Sequence, residues 1–273
     1  MTVLIGLGAF LAGLLGALTG LGGGIIIVPL LTLGFGVDLR YAVGASLVSV
    51  IATSSGAAAA YVREGYTNLR VGMFLEVATT FGALAGAWAA AFVSPGLVAI
   101  IFAVVLLGTA LQSLRPRAEH LVATSDALAK RLRLGSTYPT PNGPVRYEVR
   151  HVPFAFGMML IAGGLSALLG IGSGVVKVIA MDRAMHLPFK VSTTTSNFMI
   201  GVTAAASAGI YLHRGWIDPR LALPVILGVL AGALVGARVL TRAPVRPLRI
   251  LFTTVAVVLA AEMLYKGVTG GFR

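Results

Sequence analysis

Long apolar runs constrain the fold of this chain more than any other feature of its sequence. Residues 41–62, 71–93, 95–112 and 191–212 each approach the roughly 20 apolar residues needed to cross a hydrocarbon core about 30 Å thick. With 57% hydrophobic and only 11% charged residues, the chain has more apolar surface than one soluble core could bury. The sequence therefore predicts an all-α polytopic membrane protein, which we expect in the cytoplasmic (inner) membrane.

The basic residues lie between the apolar runs and form no patch interleaved with aromatic side chains. The formal net charge of +12 therefore indicates membrane orientation and not a nucleic-acid partner. The four histidines lack metal-ligand spacing, cysteine is absent, and no Gly-x-Ser-x-Gly motif occurs. We expect neither an enzyme activity nor a metal site, and no cofactor.

A polar segment at residues 114–152 separates two apolar halves. It carries seven basic and three acidic side chains and a turn-rich stretch at residues 139–144. We therefore predict a membrane repeat at residues 1–113, a cytoplasmic basic linker at 114–152 and a second membrane repeat at 153–273. Within the linker, residues 121–134 could form a basic amphipathic helix on the membrane surface or an ordinary solvated helix.

The second half repeats the first at a constant offset of 150 residues. From Gly20 to Ala87 the halves align without gaps, with fifteen identities over 68 positions that include Tyr61/Tyr211. Apolar composition inflates such a count but does not easily place glycines and a tyrosine in register. The sequence therefore predicts an internal duplication.

The distribution of Lys and Arg predicts the direction in which each half crosses the membrane. If each glycine-broken stretch re-enters or counts as two segments, fifteen basic residues face the cytoplasm and five lie outside. If each crosses once, the balance falls to thirteen against seven. The positive-inside rule favours the first arrangement. We predict inverted repeats, each with a glycine-broken or re-entrant stretch plus three spanning helices.

A glycine cluster interrupts each half, at residues 19–29 and 169–179. Non-helical backbone at membrane depth is tolerated only where protein buries it or where it lines a watery cavity. Glycines can instead serve close helix packing, which is the simpler role for pairs such as Gly82/Gly86 and Gly228/Gly232. Because the clusters occupy corresponding positions, we expect two half-helices that direct free N–H groups and positive dipole ends at one small anion. The residues of this prediction are Gly22, Gly23, Gly24, Ile25, Gly172, Ser173, Gly174 and Val175.

Hydroxyl side chains follow each cluster on a neighbouring helix. Ser46 and Thr53 correspond to Ser196 and Thr203, and Asn197 lies beside Ser196. These side chains could donate hydrogen bonds to the anion. The alternative is that the hydroxyls bond carbonyls of their own helix or join helices together.

Two charged side chains fall within apolar runs, where a charge indicates a functional site by default. Lys177, three residues past Gly174, could supply the positive charge for an anion or could snorkel to an interface. Glu76 is a candidate for carrying a coupling proton, although a structural pair with a nearby arginine explains it equally well.

The glycine motifs resemble those of the sulfite exporter TauE/SafE family of membrane permeases. The resemblance covers both membrane halves and rests on residues 16–31, 164–174, 195–198 and 214–219. It implies a transporter of sulfur-containing anions such as sulfite, sulfonates or thiosulfate, coupled to protons or another ion. Two positions depart from the repeat: Ser173 replaces the middle glycine of the second cluster, and Ile179 stands opposite Pro29.

We therefore expect a secondary transporter of a small sulfur-containing anion. Its expected partners are that anion and the lipid bilayer, and a homo-oligomer is left open. The alternatives are a passive small-anion channel and a non-transporting structural or sensory membrane protein.

Overall fold

The structure is a computed structural model that describes residues 2–19, 24–114, 125–140, 143–240 and 245–271. It is almost entirely helical, which confirms the predicted all-α class. The first half contains α1 (Thr2–Thr19), α2 (Gly24–Pro29), a π-helical turn that continues α2 (Leu30–Gly34), α3 (Leu39–Arg63), α4 (Leu69–Ala89) and α5 (Pro95–Leu114). The linker contains α6 (Ala127–Arg131), β1 (Ser136–Thr140) and β2 (Gly143–Tyr147). The second half contains α7 (Val152–Leu169), α8 (Gly174–Ile179), a second π-helical turn (Ala180–Ala184), α9 (Phe189–His213), α10 (Pro219–Leu240) and α11 (Val245–Val268).

Several helices are suited to a bilayer by length and surface. Among the described residues, four segments are long and apolar enough to cross a membrane: Leu69–Ala89, Pro95–Gln112, Val152–Leu169 and Pro219–Gly236. Large apolar side chains such as Val104, Ile161 and Leu227 are exposed on these helices. Such a surface is stable when lipid covers it. The chain is therefore a multi-pass membrane protein.

Helices of the two halves correspond in their starting positions. α2, α3 and α4 begin at residues 24, 39 and 69, and α8, α9 and α10 begin 150 residues later, at 174, 189 and 219. The same offset relates the starts of α1 and α7 and of α5 and α11. The sequence repeat is thus accompanied by the same order of helices.

Two pairs of corresponding helices, α3 with α9 and α5 with α11, pack antiparallel. Gly96 at the start of α5 lies against Gly267 at the end of α11, with each glycine's Cβ position 3.0 Å from the other's carbonyl oxygen. Gly44, near the start of α3, likewise contacts Trp216, which follows the end of α9. A two-fold axis across the helices would produce this packing and is what inverted repeats require, whereas repeats of one orientation would place equivalent helices parallel. The inverted topology in the membrane stays a prediction.

Glycines bring helices of opposite halves into backbone contact. A Cβ on Gly82 of α4 would lie 1.9 Å from the carbonyl oxygen of Leu160 on α7. At the corresponding place in the other half, a Cβ on Gly232 of α10 would lie 2.0 Å from the carbonyl oxygen of Phe10 on α1. Only glycine allows this approach, so the packing role predicted for these two glycines is confirmed.

The linker contains a β-hairpin that the sequence analysis did not predict. β1 pairs antiparallel with β2, with Thr140 opposite Gly143. An Asn-Gly dipeptide at residues 142–143 is a hairpin signal, but Pro139 and Pro144 disfavour a strand because proline cannot donate to the ladder. Of the possible helix over residues 121–134, the described part contains α6 (Ala127–Arg131); residues 132–134 are not helical, and residues 121–124 lie outside the described residues.

Asn68 connects the linker to the membrane helices through hydrogen bonds. Its side-chain nitrogen donates to the carbonyl oxygen of Leu134 at 2.9 Å and to the hydroxyl of Tyr147 at 2.8 Å. Its side-chain oxygen caps α4 by accepting from the N–H of Val71, and its own N–H donates to Thr195 on α9. Burial raises the pKa of Tyr147 to about 12, so its phenol stays neutral at physiological pH. One asparagine thus joins the hairpin to the starts of α4 and α9.

The glycine packing predicts a sharp difference between two alanine variants. Gly82→Ala should lower the free energy of unfolding by about 1–3 kcal/mol or more, because the new methyl group must push α4 away from α7. Gly157→Ala on α7 is the matched control, since nothing lies within 4 Å of its Cβ position. Melting temperatures in detergent measure both effects, and equal values for the two variants would contradict the packing.

Candidate functional site

A described helix begins at the last glycine of each glycine cluster. α2 begins at Gly24 and α8 at Gly174. Before α8 the backbone turns through left-handed conformations, with φ of +68° at Gly170, +69° at Gly172 and +42° at Ser173. Gly22 and Gly23 lie outside the described residues. The structure therefore shows the break before α8 in full, whereas the break expected at residues 20–23 lies outside the described residues.

The two interruptions lie next to each other. A Cβ on Gly24 would lie 3.1 Å from the carbonyl oxygen of Gly170. The hydroxyl of Ser46 lies between the two backbones, 2.7 Å from the Gly170 carbonyl oxygen and 3.4 Å from that of Gly24. In the second half, Ser196 donates to the Gly174 carbonyl oxygen at 3.2 Å. The glycine segments of the two halves thus meet, as the prediction of a shared site requires.

The predicted hydroxyl donors are engaged with carbonyl oxygens in this structure. A hydroxyl has one hydrogen, and both Ser46 and Ser196 donate theirs to glycine backbones. Ser173 donates to Ala162 on α7 at 2.6 Å, and Thr53 donates to carbonyls of its own helix. Donation to an anion would require these hydroxyls to leave their carbonyls, so in this state they position the backbone.

The remaining predicted residues surround the same region. Ile25 is buried directly after Gly24, and Asn197 is half-buried on α9. Val175 lies in the first turn of α8. Ile25 and Val175 directly follow Gly24 and Gly174 in sequence, and Asn197 follows Ser196, which contacts Gly174.

Lys177, Thr203 and Glu76 form a chain of polar contacts between three helices. The ammonium nitrogen of Lys177 on α8 donates to the hydroxyl oxygen of Thr203 on α9 at 2.5 Å. That hydroxyl lies 2.7 Å from Oε1 of Glu76 on α4. Lys177 is 0% exposed and Glu76 is 7% exposed. The sequence indicated each of these residues separately but gave no signal that they would meet.

Thr203 has more acceptors within reach than it has hydrogens. Its hydroxyl oxygen lies 2.7 Å from Glu76 Oε1 and 2.9 Å from the carbonyl oxygen of Met199, one turn earlier on α9. The hydroxyl oxygen accepts from Lys177, and the single hydroxyl hydrogen can be donated to only one of these two acceptors. Thr203 can therefore release Glu76 without losing a hydrogen-bond acceptor.

The carboxylate of Glu76 is only partly satisfied. Thr203 and, at 3.4 Å, Thr80 contact Oε1. Among the described residues, the buried Oε2 has no hydrogen-bond partner. Buried charges are stable only when paired and fully hydrogen-bonded. An orphaned carboxylate oxygen within a buried polar cluster is thus a place where a ligand or a proton would be stabilised.

The charged cluster combines α4 of the first half with α8 and α9 of the second, and its charges have no charged equivalents at the positions 150 residues away. At the offset of 150, Lys177 corresponds to Ile27 and Glu76 to Ile226, although Thr203 corresponds to Thr53. Ile27 is completely buried. The positions that correspond to Lys177 and Glu76 are therefore apolar, and these residues form one charged site and not two.

Equivalent cation–π contacts lie at the two ends of the α3–α9 pair. The guanidinium of Arg40 lies 5.1 Å from the ring centre of Trp216, and the ammonium of Lys190 lies 5.4 Å from that of Tyr66. The two contacts are related by the same offset of 150. Because α3 and α9 are antiparallel, they lie at opposite ends of the pair. Each contact joins the loop after one helix to the start of the other helix.

The hydrogen bonds of Thr203 predict a specific loss of stability. Thr203→Val keeps the shape but leaves Lys177 and Glu76 without their shared partner, so the free energy of unfolding should fall by about 1–3 kcal/mol. Thr53→Val is the matched control, since its hydroxyl donates only to carbonyls of its own helix. Melting in detergent distinguishes the two, and a larger loss for Thr53→Val would argue against the cluster.

Comparisons with known proteins show the family to which the chain belongs. The model of the sulfite exporter TauE/SafE family matches residues 5–263. "Probable membrane transporter protein YunE" of Bacillus subtilis (strain 168) is 24% identical over 97% of this chain and 98% of its own length. "Probable membrane transporter protein YdhB" of the same strain is 26% identical over 86% and 89%, and "Probable membrane transporter protein MJ0441" of Methanocaldococcus jannaschii is 24% identical over 93% and 92%. No solved structure matches the chain significantly. The chain belongs to the sulfite exporter TauE/SafE family, whose relatives are named as membrane transporters.

Proposed function

We propose that the protein is a secondary transporter that moves a small sulfur-containing anion, such as sulfite, a sulfonate or thiosulfate, across the cytoplasmic membrane. Family membership supports transport, and the family's description supports the class of substrate. The observation that carries the proposal is a completely buried lysine at the start of an interrupted helix, in a protein that otherwise crosses the membrane with apolar helices.

Lys177 is suited to an oxyanion by its hydrogen-bonding capacity. An ammonium group has three donors, and Thr203 takes one of them. The remaining donors can bond oxygens of an anion, and charge-assisted bonds of this kind are the strong ones. Gly174 begins α8 three residues before Lys177, so the first N–H groups of the helix lie within one turn of the Lys177 backbone. Charge and backbone donors can thus act on one ligand.

The proposed binding residues follow from this arrangement. Lys177 supplies the charge, the glycine segments supply backbone N–H groups at close approach, and the hydroxyl and amide side chains supply further donors after they leave their present partners. Glu76 is the proposed coupling residue. The full set is Gly22, Gly23, Gly24, Ile25, Ser46, Thr53, Gly172, Ser173, Gly174, Val175, Lys177, Ser196, Asn197 and Thr203.

Alternating access is the proposed transport mechanism. The antiparallel packing of α3 on α9 and the cation–π contacts at both ends of that pair support it, because equivalent contacts can open one at a time. In the present structure both contacts are formed. We propose that opening of the Arg40–Trp216 contact admits the anion at one face, and opening of the Lys190–Tyr66 contact releases it at the other.

Reconstitution tests the proposed function. Purified protein in proteoliposomes would be exposed to sulfite, sulfate, thiosulfate, methanesulfonate and acetate under imposed pH gradients. We expect accumulation of at least one sulfur anion that follows the gradient. Flux that does not respond to the gradient would indicate a passive channel, and no flux of any anion would indicate a structural or sensory protein.

The buried lysine gives the sharpest variant for this assay. Lys177→Met keeps the length of the side chain but removes its charge, and loss of a charge-assisted bond of about 1.5–3 kcal/mol should lower anion affinity and flux about 10- to 100-fold. Lys266→Met, at an exposed ion pair near the end of α11, is the matched control. Wild-type flux through folded Lys177→Met protein would refute the role of Lys177.

A further inference from the structure

We infer that Glu76 is an internal counter-ion that the transported anion replaces at Lys177, and that Glu76 takes up one proton in the same step. The inference rests on the proposed function, because it describes how the same site loads its substrate. To the proposed coupling role of Glu76 it adds an exchange of counter-ions at Lys177, the uptake of one proton per anion, and a positioning role for Thr203. No covalent bond changes, and the proton moves from water to a carboxylate oxygen.

Charge balance in the buried site is the first argument. An ammonium at Lys177 and a carboxylate at Glu76 sum to zero, and Thr203 bridges them. Adding a monovalent anion alone would leave one negative charge uncompensated among buried side chains, which is costly. Uptake of one proton by Glu76 restores neutrality. The site therefore holds either the internal carboxylate or the anion together with a proton.

The alternative acceptor of Thr203 is the second argument. When an anion takes the Lys177 ammonium, the Thr203 hydroxyl can turn from Glu76 Oε1 to the Met199 carbonyl oxygen, only 0.2 Å farther away (2.9 against 2.7 Å). Glu76 then loses its strongest hydrogen bond, and such a loss favours the protonated form of a carboxylate. Thr203 thus couples the arrival of the anion to the arrival of the proton.

The orphaned oxygen of Glu76 is the third argument. Among the described residues, Oε2 accepts no hydrogen bond, although the side chain is 93% buried (7% exposed). Burying a carboxyl group with an oxygen that accepts no hydrogen bond costs far less free energy when the group is neutral than when it is charged. Oε2 is the position at which the proton would be held.

The surroundings of Glu76 leave Lys177 as its main electrostatic partner. α4 packs chiefly against α7 and α9, and α7 carries no titratable side chain. The titratable side chains of α9 lie toward its two ends: Lys190, Tyr211 and His213. On α4 itself, Arg70 is exposed and donates to the Arg133 carbonyl oxygen. The proton equilibrium of Glu76 should therefore follow occupancy of the site beside Lys177.

Anion binding as a function of pH tests the inference. Equilibrium affinities of purified wild-type protein and of Glu76→Gln would be measured for the transported anion between about pH 5 and 8. Binding that takes up one proton weakens about tenfold for each unit of rising pH. We expect this slope for the wild type relative to Glu76→Gln, because the difference between the two proteins cancels any titration of the anion itself. Glu262→Gln, at an exposed ion pair, should keep the wild-type slope.

A second measurement uses only the wild-type chain, so that a misfolded Glu76→Gln variant cannot leave the question open. Methanesulfonate, whose single negative charge does not change in this pH range, would be added to lightly buffered protein with a pH indicator. One proton taken up per anion bound is expected, and none would overturn the inference. Equal slopes for wild type and Glu76→Gln would also overturn it while leaving transport intact. Absence of any anion flux in the wild type would instead overturn the proposed function, and the inference with it.

Discussion

The charge of a lysine in the interior of a membrane protein must be balanced by other groups of that protein, and this requirement organises the centre of the molecule. Lys177 is completely buried, so its counter-charge and its acceptor come from two other helices, Glu76 on α4 and Thr203 on α9. The balance is incomplete, because the carboxylate has an oxygen without a partner among the described residues. A structural ion pair would be expected to satisfy both groups, whereas a site that exchanges its internal carboxylate for an external anion needs the pair to be weak.

Close backbone packing makes this contact between helices achievable. α4 belongs to the first half of the chain, but at Gly82 it is in backbone contact with α7, which belongs to the same half as α8. This packing brings Glu76 to the site. The interrupted helix places Lys177 one turn after the loop of residues 170–173, and Ser46 of the other half holds that loop through the Gly170 carbonyl oxygen. At the linker end, Asn68 joins the hairpin to the starts of α4 and α9, the helices that carry Glu76 and Thr203. The linker is therefore hydrogen-bonded at the starts of the two helices that contribute Glu76 and Thr203.

The sequence predicted the helices better than it predicted their contacts. The apolar run at residues 41–62 became α3 (Leu39–Arg63), and the glycine clusters mark the starts of α2 and α8, because hydrophobic runs and glycine act locally. Burial of Lys177 followed from its setting within an apolar run. Its contact with Thr203, and that of Thr203 with Glu76, could not be predicted, since these pairs are 26 and 127 residues apart and meet only through tertiary packing. The present partners of Ser46 and Ser173 were missed for the same reason, and the hairpin was missed because Pro139 and Pro144 obscured the Asn-Gly signal.

Direct location of a bound anion tests the central claim, that an anion binds at Lys177 in place of Glu76. Selenite is a close chemical analogue of sulfite, and its selenium scatters anomalously, so crystals of the protein grown with selenite would show where the anion lies. The account predicts an anomalous peak in contact with the Lys177 ammonium and beside the loop of residues 170–173, with the Glu76 carboxylate turned away from Thr203. A peak elsewhere, with the Lys177–Thr203–Glu76 contacts unchanged, would contradict it.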